Sequence, residues 1–145
     1  MTATLRSVLD GTTTTGVFVW RGAWDRDVLG EAREAGWTPL HLNTSDARTA
    51  ADLYDAIARD WSLPDWFGRN LDALWDVLAE RASAPTVLVW DGAEAFATHD
   101  PDLAIIVLGL LRDASTQAEA LTVIVRPDGE QPMPVSLLSE LDGLL

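Results

Sequence analysis

The sequence predicts an α/β domain with a small parallel sheet, and three observations carry that expectation. Four short apolar runs, Val17–Trp20, Trp37–Leu42, Thr86–Trp90 and Leu121–Val125, lie well apart along the 145 residues. The gaps between them hold segments of helical periodicity with caps, and strands separated by helices pair in parallel through right-handed crossovers. Thr86–Trp90 is apolar at nearly every position, as a strand buried on both faces should be.

Taken in order, the chain opens with a stretch, residues 1–16, that reads as a flexible entry segment. Its threonine run between Gly11 and Gly16 is no phosphate loop, because no Gly-Lys-Ser/Thr follows. Val17–Trp20 reads as a strand, and Asp25–Ala35 as a helix ended by Gly36. Trp37–Leu42 contains Pro39, which suits an edge strand. Thr44, Ser45 and Asp46 offer caps for a helix through Ala47–Asp60, with Leu53, Ile57 and Trp61 on one face. Asn70 sits where a helix cap belongs, ahead of a second periodic segment. A cis Ala84–Pro85 bond is one way to turn quickly into Thr86. Asp100–Pro101 is a cap followed by proline at the first helical position, opening a helix to about Gln117. Pro127–Pro134 reads as a loop and Val135–Leu145 as a short amphipathic helix.

The net charge is −13, from 23 acidic and 10 basic residues, and every basic residue is arginine. Such a chain repels phosphates, so nucleic acid is not an expected partner, whereas a basic protein is. There is no cysteine, hence no disulfide framework and no thiolate metal site. Met1–Gly16 lack the features of a signal peptide, and no apolar run reaches the ~18 residues of a spanning helix. A cytoplasmic protein without membrane contact is expected.

The stretch Leu63–Leu78 concentrates the unusual features. At 100° per residue, Phe67, Leu71, Leu74 and Leu78 share one arc of a helix. Asp72, Asp76 and Glu80 recur four apart on another face, with Arg69 near them if the helical turn extends that far back. Like charges at this spacing repel. Trp66 and Phe67 place two rings in the loop ahead of the cap, where Gly68 permits a tight turn. A solvated acidic face is the ordinary reading of such a pattern. Aromatic rings beside uncompensated carboxylates instead suggest a surface for a cationic partner. Trp75 borders the apolar arc and suits either core or contact.

The run Leu63-Pro64, Gly68, Asn70-Leu71-Asp72-Ala73-Leu74-Trp75-Asp76 and Leu78 resembles the barstar family of bacterial ribonuclease inhibitors. Weaker likeness extends through Pro85–Trp90, Leu108–Asp113 and Leu121–Val125. The family-like part is residues 37–126, leaving 1–16, a strand–helix unit at 17–36 and a C-terminal extension at 127–145. The resemblance implies three parallel strands packed with helices, to which Val17–Trp20 adds one more. It also implies that a helix and its preceding loop plug a ribonuclease active site. The matching positions are Trp66, Gly68, Asn70, Asp72, Trp75, Asp76 and Asp113. Asp76 stands where the family places its main phosphate mimic, and Asp72 where a second acidic contact lies. Asp113 is one methylene shorter than the family's glutamate. Glu80 and Arg81 fall where the best-known member has Gly-Trp, a departure that points to a different target.

For catalysis the sequence offers little. His41 and His99 lie apart from any nucleophile motif, and Asp72, Asp76 and Asp113 form no Asp-x-Asp loop for a hard cation. The expectation is therefore a non-enzymatic inhibitor or immunity protein binding a basic, secreted ribonuclease or toxin 1:1, with no cofactor. Asp60 and Asp65 are expected at its rim. A barstar-fold module with a non-ribonuclease target, and a small carboxylate-dependent hydrolase, are the alternatives.

Overall fold

A computed structural model describes residues 4–12, 15–118, 120–127, 141 and 143–145. Its elements are α1 (Leu5–Leu9), β1 (Val17–Val19), α2 (Val28–Glu34), β2 (Thr38–Asn43), α3 (Ala50–Asp60), α4 (Leu71–Arg81), β3 (Thr86–Asp91), α5 (Ala93–His99), α6 (Pro101–Ala118), β4 (Leu121–Arg126) and β5 (Gly143–Leu144). The strands form one sheet in the order β2-β3-β4-β1-β5, parallel throughout. The four strands expected from the apolar runs are present. β2, with Pro39, is at the sheet's edge, where a missing backbone donor is tolerated.

Strand alternation divides the core into two layers. Leu40, Leu42, Leu88, Trp90, Val123 and Val125 face the side covered by α3, α4, α5 and α6. Val87, Val89 and Ile124 face the other side, against Leu5 of α1 and Val28 and Ala32 of α2. β3 is sealed on both faces, and Val87 through Trp90 have no exposed surface.

Several local expectations are corrected. Part of the entry segment is ordered: Thr4 and Ser7 form a reciprocal capping box, and Leu5 and Val8 of α1 are buried. Five residues are too few for periodicity to reveal such a helix. α3 starts later than expected because Thr49, not Thr44, Ser45 or Asp46, accepts the capping hydrogen bond, from Asp52 N at 3.1 Å. Thr44 is instead buried, accepting from the Trp90 indole at 2.9 Å. α5 was not anticipated; its N-cap, Gly92, has φ +77, and a Cβ there would strike the Ser45 backbone. The Ala84–Pro85 bond is trans. The turn is instead closed by the Thr86 hydroxyl, which donates to Ala84 O at 2.8 Å and Arg81 O at 3.0 Å.

Gly143–Leu144 is a strand, not the end of a helix over Val135–Leu145. The outer edge of β1 offers backbone groups to pair, and Leu145 N donates to Val19 O at 2.9 Å. Residues 128–140 and 142, which hold most of that expected helix and its preceding loop, lie outside the described residues. No helix among the described residues is long and apolar enough to cross a membrane.

Candidate functional site

The loop of residues 62–70 and helix α4 are fixed at each end by local chemistry. α3 ends with Leu63 N donating to Ala58 O at 2.9 Å and Ser62 in the left-handed region at φ 54. This is the paired-bond exit in which glycine is usual. Phe67 N then closes a turn on Pro64 O at 2.9 Å, and the Phe67 ring is buried in the core. Trp66, on the same turn, is left 85% exposed. Asn70 caps α4, its Oδ1 accepting from Ala73 N at 2.8 Å. Gly68 lies so close to this cap that a Cβ would sit 3.2 Å from Ala73 Cβ and 3.3 Å from Asn70 Nδ2. Its value here is close approach, since its φ is not among the positive ones.

Along α4, Leu74 and Leu78 are buried while Asp72, Asp76 and Glu80 are exposed. No ion pair reaches these three carboxylates from any described residue. Arg69, which the sequence put near this stripe, lies outside the helix. It pairs with Asp55 of α3 at 2.9 Å instead. The stripe is therefore uncompensated, and its potential adds to that of an already acidic chain.

A shallow groove of about 460 Å³ runs between α4 and α6, lined by Leu71, Asp72, Trp75, Ile106, Gly109, Leu110 and Asp113. It brings Asp72, Trp75 and Asp113 together, although the two helices are far apart in sequence. Trp75 packs on the core and also lines the groove. Ile106, 49% exposed, and Leu110 were not singled out. Their spacing from Asp113, seven and three residues, puts all three on one face of α6 and was the available signal. Asp76, Glu80, Trp66, Gly68 and Asn70 are not among the groove's lining.

Two acidic residues expected at the rim differ. Asp65 is exposed. Asp60 has a side chain only 17% exposed, accepting from Asn43 N at 2.8 Å and from Arg59 at 2.9 Å. It holds α3 to the end of β2.

A second polar cluster lies at the carboxyl ends of the central strands. Arg126 donates two hydrogen bonds to Asp91, at 2.7 and 2.8 Å, and His41 Nε2 lies 2.7 Å from the same carboxylate. Burial alone would raise the Asp91 carboxyl; the bonds from Arg126 and His41 outweigh it and hold it at about 2. His41 is thus tied into the frame, and His99 is exposed at the end of α5. Among the described residues no group of three or more His, Asp or Glu side chains could hold a metal ion.

A family profile described as "Barstar (barnase inhibitor)" matches residues 37–128. A protein of Bacillus subtilis (strain 168) named "Putative ribonuclease inhibitor YrdF" is 35% identical over 65 residues, which is 45% of this chain and 71% of that protein. Among solved structures, Cdc6p from Pyrobaculum aerophilum aligns over 95% of the chain with a TM-score of 0.56 and 20% identity. C. elegans PCH-2 aligns over 97% with a TM-score of 0.51 and 9% identity. This chain spans 39% and 38% of those two structures, and at such identities they share its fold alone. The profile match takes in both helices that wall the groove, the capped loop and three of the five strands, and the chain belongs to the barstar family.

Proposed function

We propose that this protein is a stoichiometric inhibitor of a basic ribonuclease, acting in the cytoplasm, 1:1 and without turnover or cofactor. Trp66 and the acidic face of α4 would enter the target's active site. Asp76 would lie among its cationic groups, Asp72 and Asp113 would flank the groove, and Trp75 would form the groove's apolar floor. Gly68 and Asn70 would hold the loop against α4, and Glu80 would extend the acidic stripe. The observation that carries this reading is the run of exposed carboxylates on α4, with no ion pair from any described residue, together with a hydrogen-bonded turn that leaves Trp66 85% exposed. Rings on a preorganised turn bind with little ordering cost, and a same-sign stripe accelerates encounter with an oppositely charged partner.

The test is a salt series of association and dissociation rates with barnase as the first probe. Association should slow as salt rises and the Debye length shrinks toward ~3 Å at 1 M. Asp76→Ala should mainly speed dissociation, at a cost of ~2–5 kcal/mol, because cationic groups of the target stay buried and unpaired. Its melting temperature should stay close to that of the parent. Association indifferent to salt, together with unchanged dissociation for Asp76→Ala, would reduce the stripe to solvated surface.

The Glu80–Arg81 pair favours a second reading, a barstar-fold immunity module for a different basic protein. No binding to barnase, with salt-sensitive capture of another basic secreted protein, would select it.

A further inference from the structure

Arg81 poses a difficulty for any surface meant to receive a basic partner, since it adds a positive charge at the end of the recognition helix. Its guanidinium is engaged within the chain. Nη2 donates to the Trp61 carbonyl at 2.8 Å. Trp61 is the C-cap of α3, and its carbonyl belongs to the last turn, where acceptors lack helical partners and the helix dipole is negative. The Trp61 indole is itself fixed, donating to His41 O at 3.0 Å. One arginine from the last turn of α4 therefore caps the last turn of α3, joining the two helices that flank residues 62–70.

What it joins is a strained corner. Ser62, next in the chain, is the only non-glycine with positive φ among the described residues. A left-handed serine lacks glycine's freedom and persists only where its surroundings hold it. The bond from Leu63 N to Ala58 O closes that corner, and Phe67 N on Pro64 O closes the turn carrying Trp66.

We infer that Arg81 is a positioning residue that fixes the left-handed exit of α3 and thereby aims Trp66, without touching the partner. The functional consequence rests on the inhibitor reading, whereas the positioning itself is open to test in the free protein. Amide hydrogen exchange would be followed at Leu63 and Phe67 in Arg81→Ala, Arg81→Lys, and Arg81→Ala combined with Ser62→Gly. Arg81→Ala should raise exchange at both amides by about tenfold, with the β3 amides unchanged as a control for global folding. Lysine should restore part of the protection. Glycine at 62 should restore most of it, because it enters without a Cβ penalty the conformation that Arg81 otherwise enforces. Unchanged exchange at Leu63 and Phe67 in Arg81→Ala overturns the inference.

The binding arm uses barnase, or whichever basic protein the wild type captures. Arg81→Ala should weaken binding about tenfold, and Ser62→Gly should recover it. Recovered protection without recovered affinity would place Arg81 in direct contact with the partner and also overturn the inference. If the wild type binds no basic protein, the inhibitor reading fails, while the exchange measurement still decides what Arg81 does.

Discussion

Asp60 and Asp65 look alike in the sequence, two carboxylates at or near the loop of residues 62–70, yet they have different environments. Asp65→Ala removes an exposed charge and should leave stability within ~0.5 kcal/mol. Asp60→Ala strips the acceptor from Asn43 N and should cost ~1–3 kcal/mol. Urea denaturation of the two variants separates them; equal midpoints would show that Asp60 is dispensable to the fold. Asp91 has a different signature. Its carboxyl is held at about 2 in the folded state, below the ordinary value of 3.8. A depressed acid contributes stability above its unfolded pKa and loses it as pH falls through the folded one. That contribution, ~2 kcal/mol for a shift of this size, should be complete above pH 4 and drain away toward pH 2. Stability measured against pH should fall less steeply in that window for Asp91→Asn than for the wild type.

At the level of elements, legibility followed the length and chemistry of each signal. α4 was readable because Asn70, the Leu71–Leu74–Leu78 arc and the four-residue carboxylate spacing all agree. Asn70→Ala should cost ~1 kcal/mol through loss of the cap. It should fray the first turn, which an increase in amide exchange at Ala73 would reveal; no change there would mean that tertiary packing alone holds the helix start. β3 was readable because burial on both faces leaves an unbroken apolar run. α1 and α5 were not, since five and seven residues give periodicity too little to work on. Gly92 reads locally as a loop, although it caps a helix. The groove between α4 and α6 lay beyond local pattern altogether. Asp72 and Asp113 meet across it only because both helices pack on the same face of one sheet. The bond made by Arg81 lay beyond local pattern for a related reason: sequence shows the charge, not the carbonyl 20 residues earlier that receives it.

On the scale of the whole molecule, the family-matched region shares its core with residues outside it. Val87, Val89 and Ile124 belong to it, yet their cover comes from α1 and α2, which precede it. Removing residues 1–36 would expose a continuous apolar sheet face, at ~25 cal/mol per Å² uncovered, and unpair the β1 side of β4. A fragment of residues 37–128 should show no cooperative thermal transition by circular dichroism. A sharp transition near that of the full chain would mean the extra layer is an ornament.

β1 sits between β4 and β5, with Val17 in register with Val123. During synthesis, its place in the sheet therefore does not exist until more than a hundred further residues have left the ribosome. Parallel pairing over such separations carries a loop-closure cost before any contact repays it, which makes the step slow. Val17–Trp20 must wait meanwhile as an unpaired apolar strand, the kind of segment that aggregates or recruits chaperones. A chain assembled in this order seats β1 late, so the yield of folded protein should depend on how long Val17–Trp20 is shielded after synthesis.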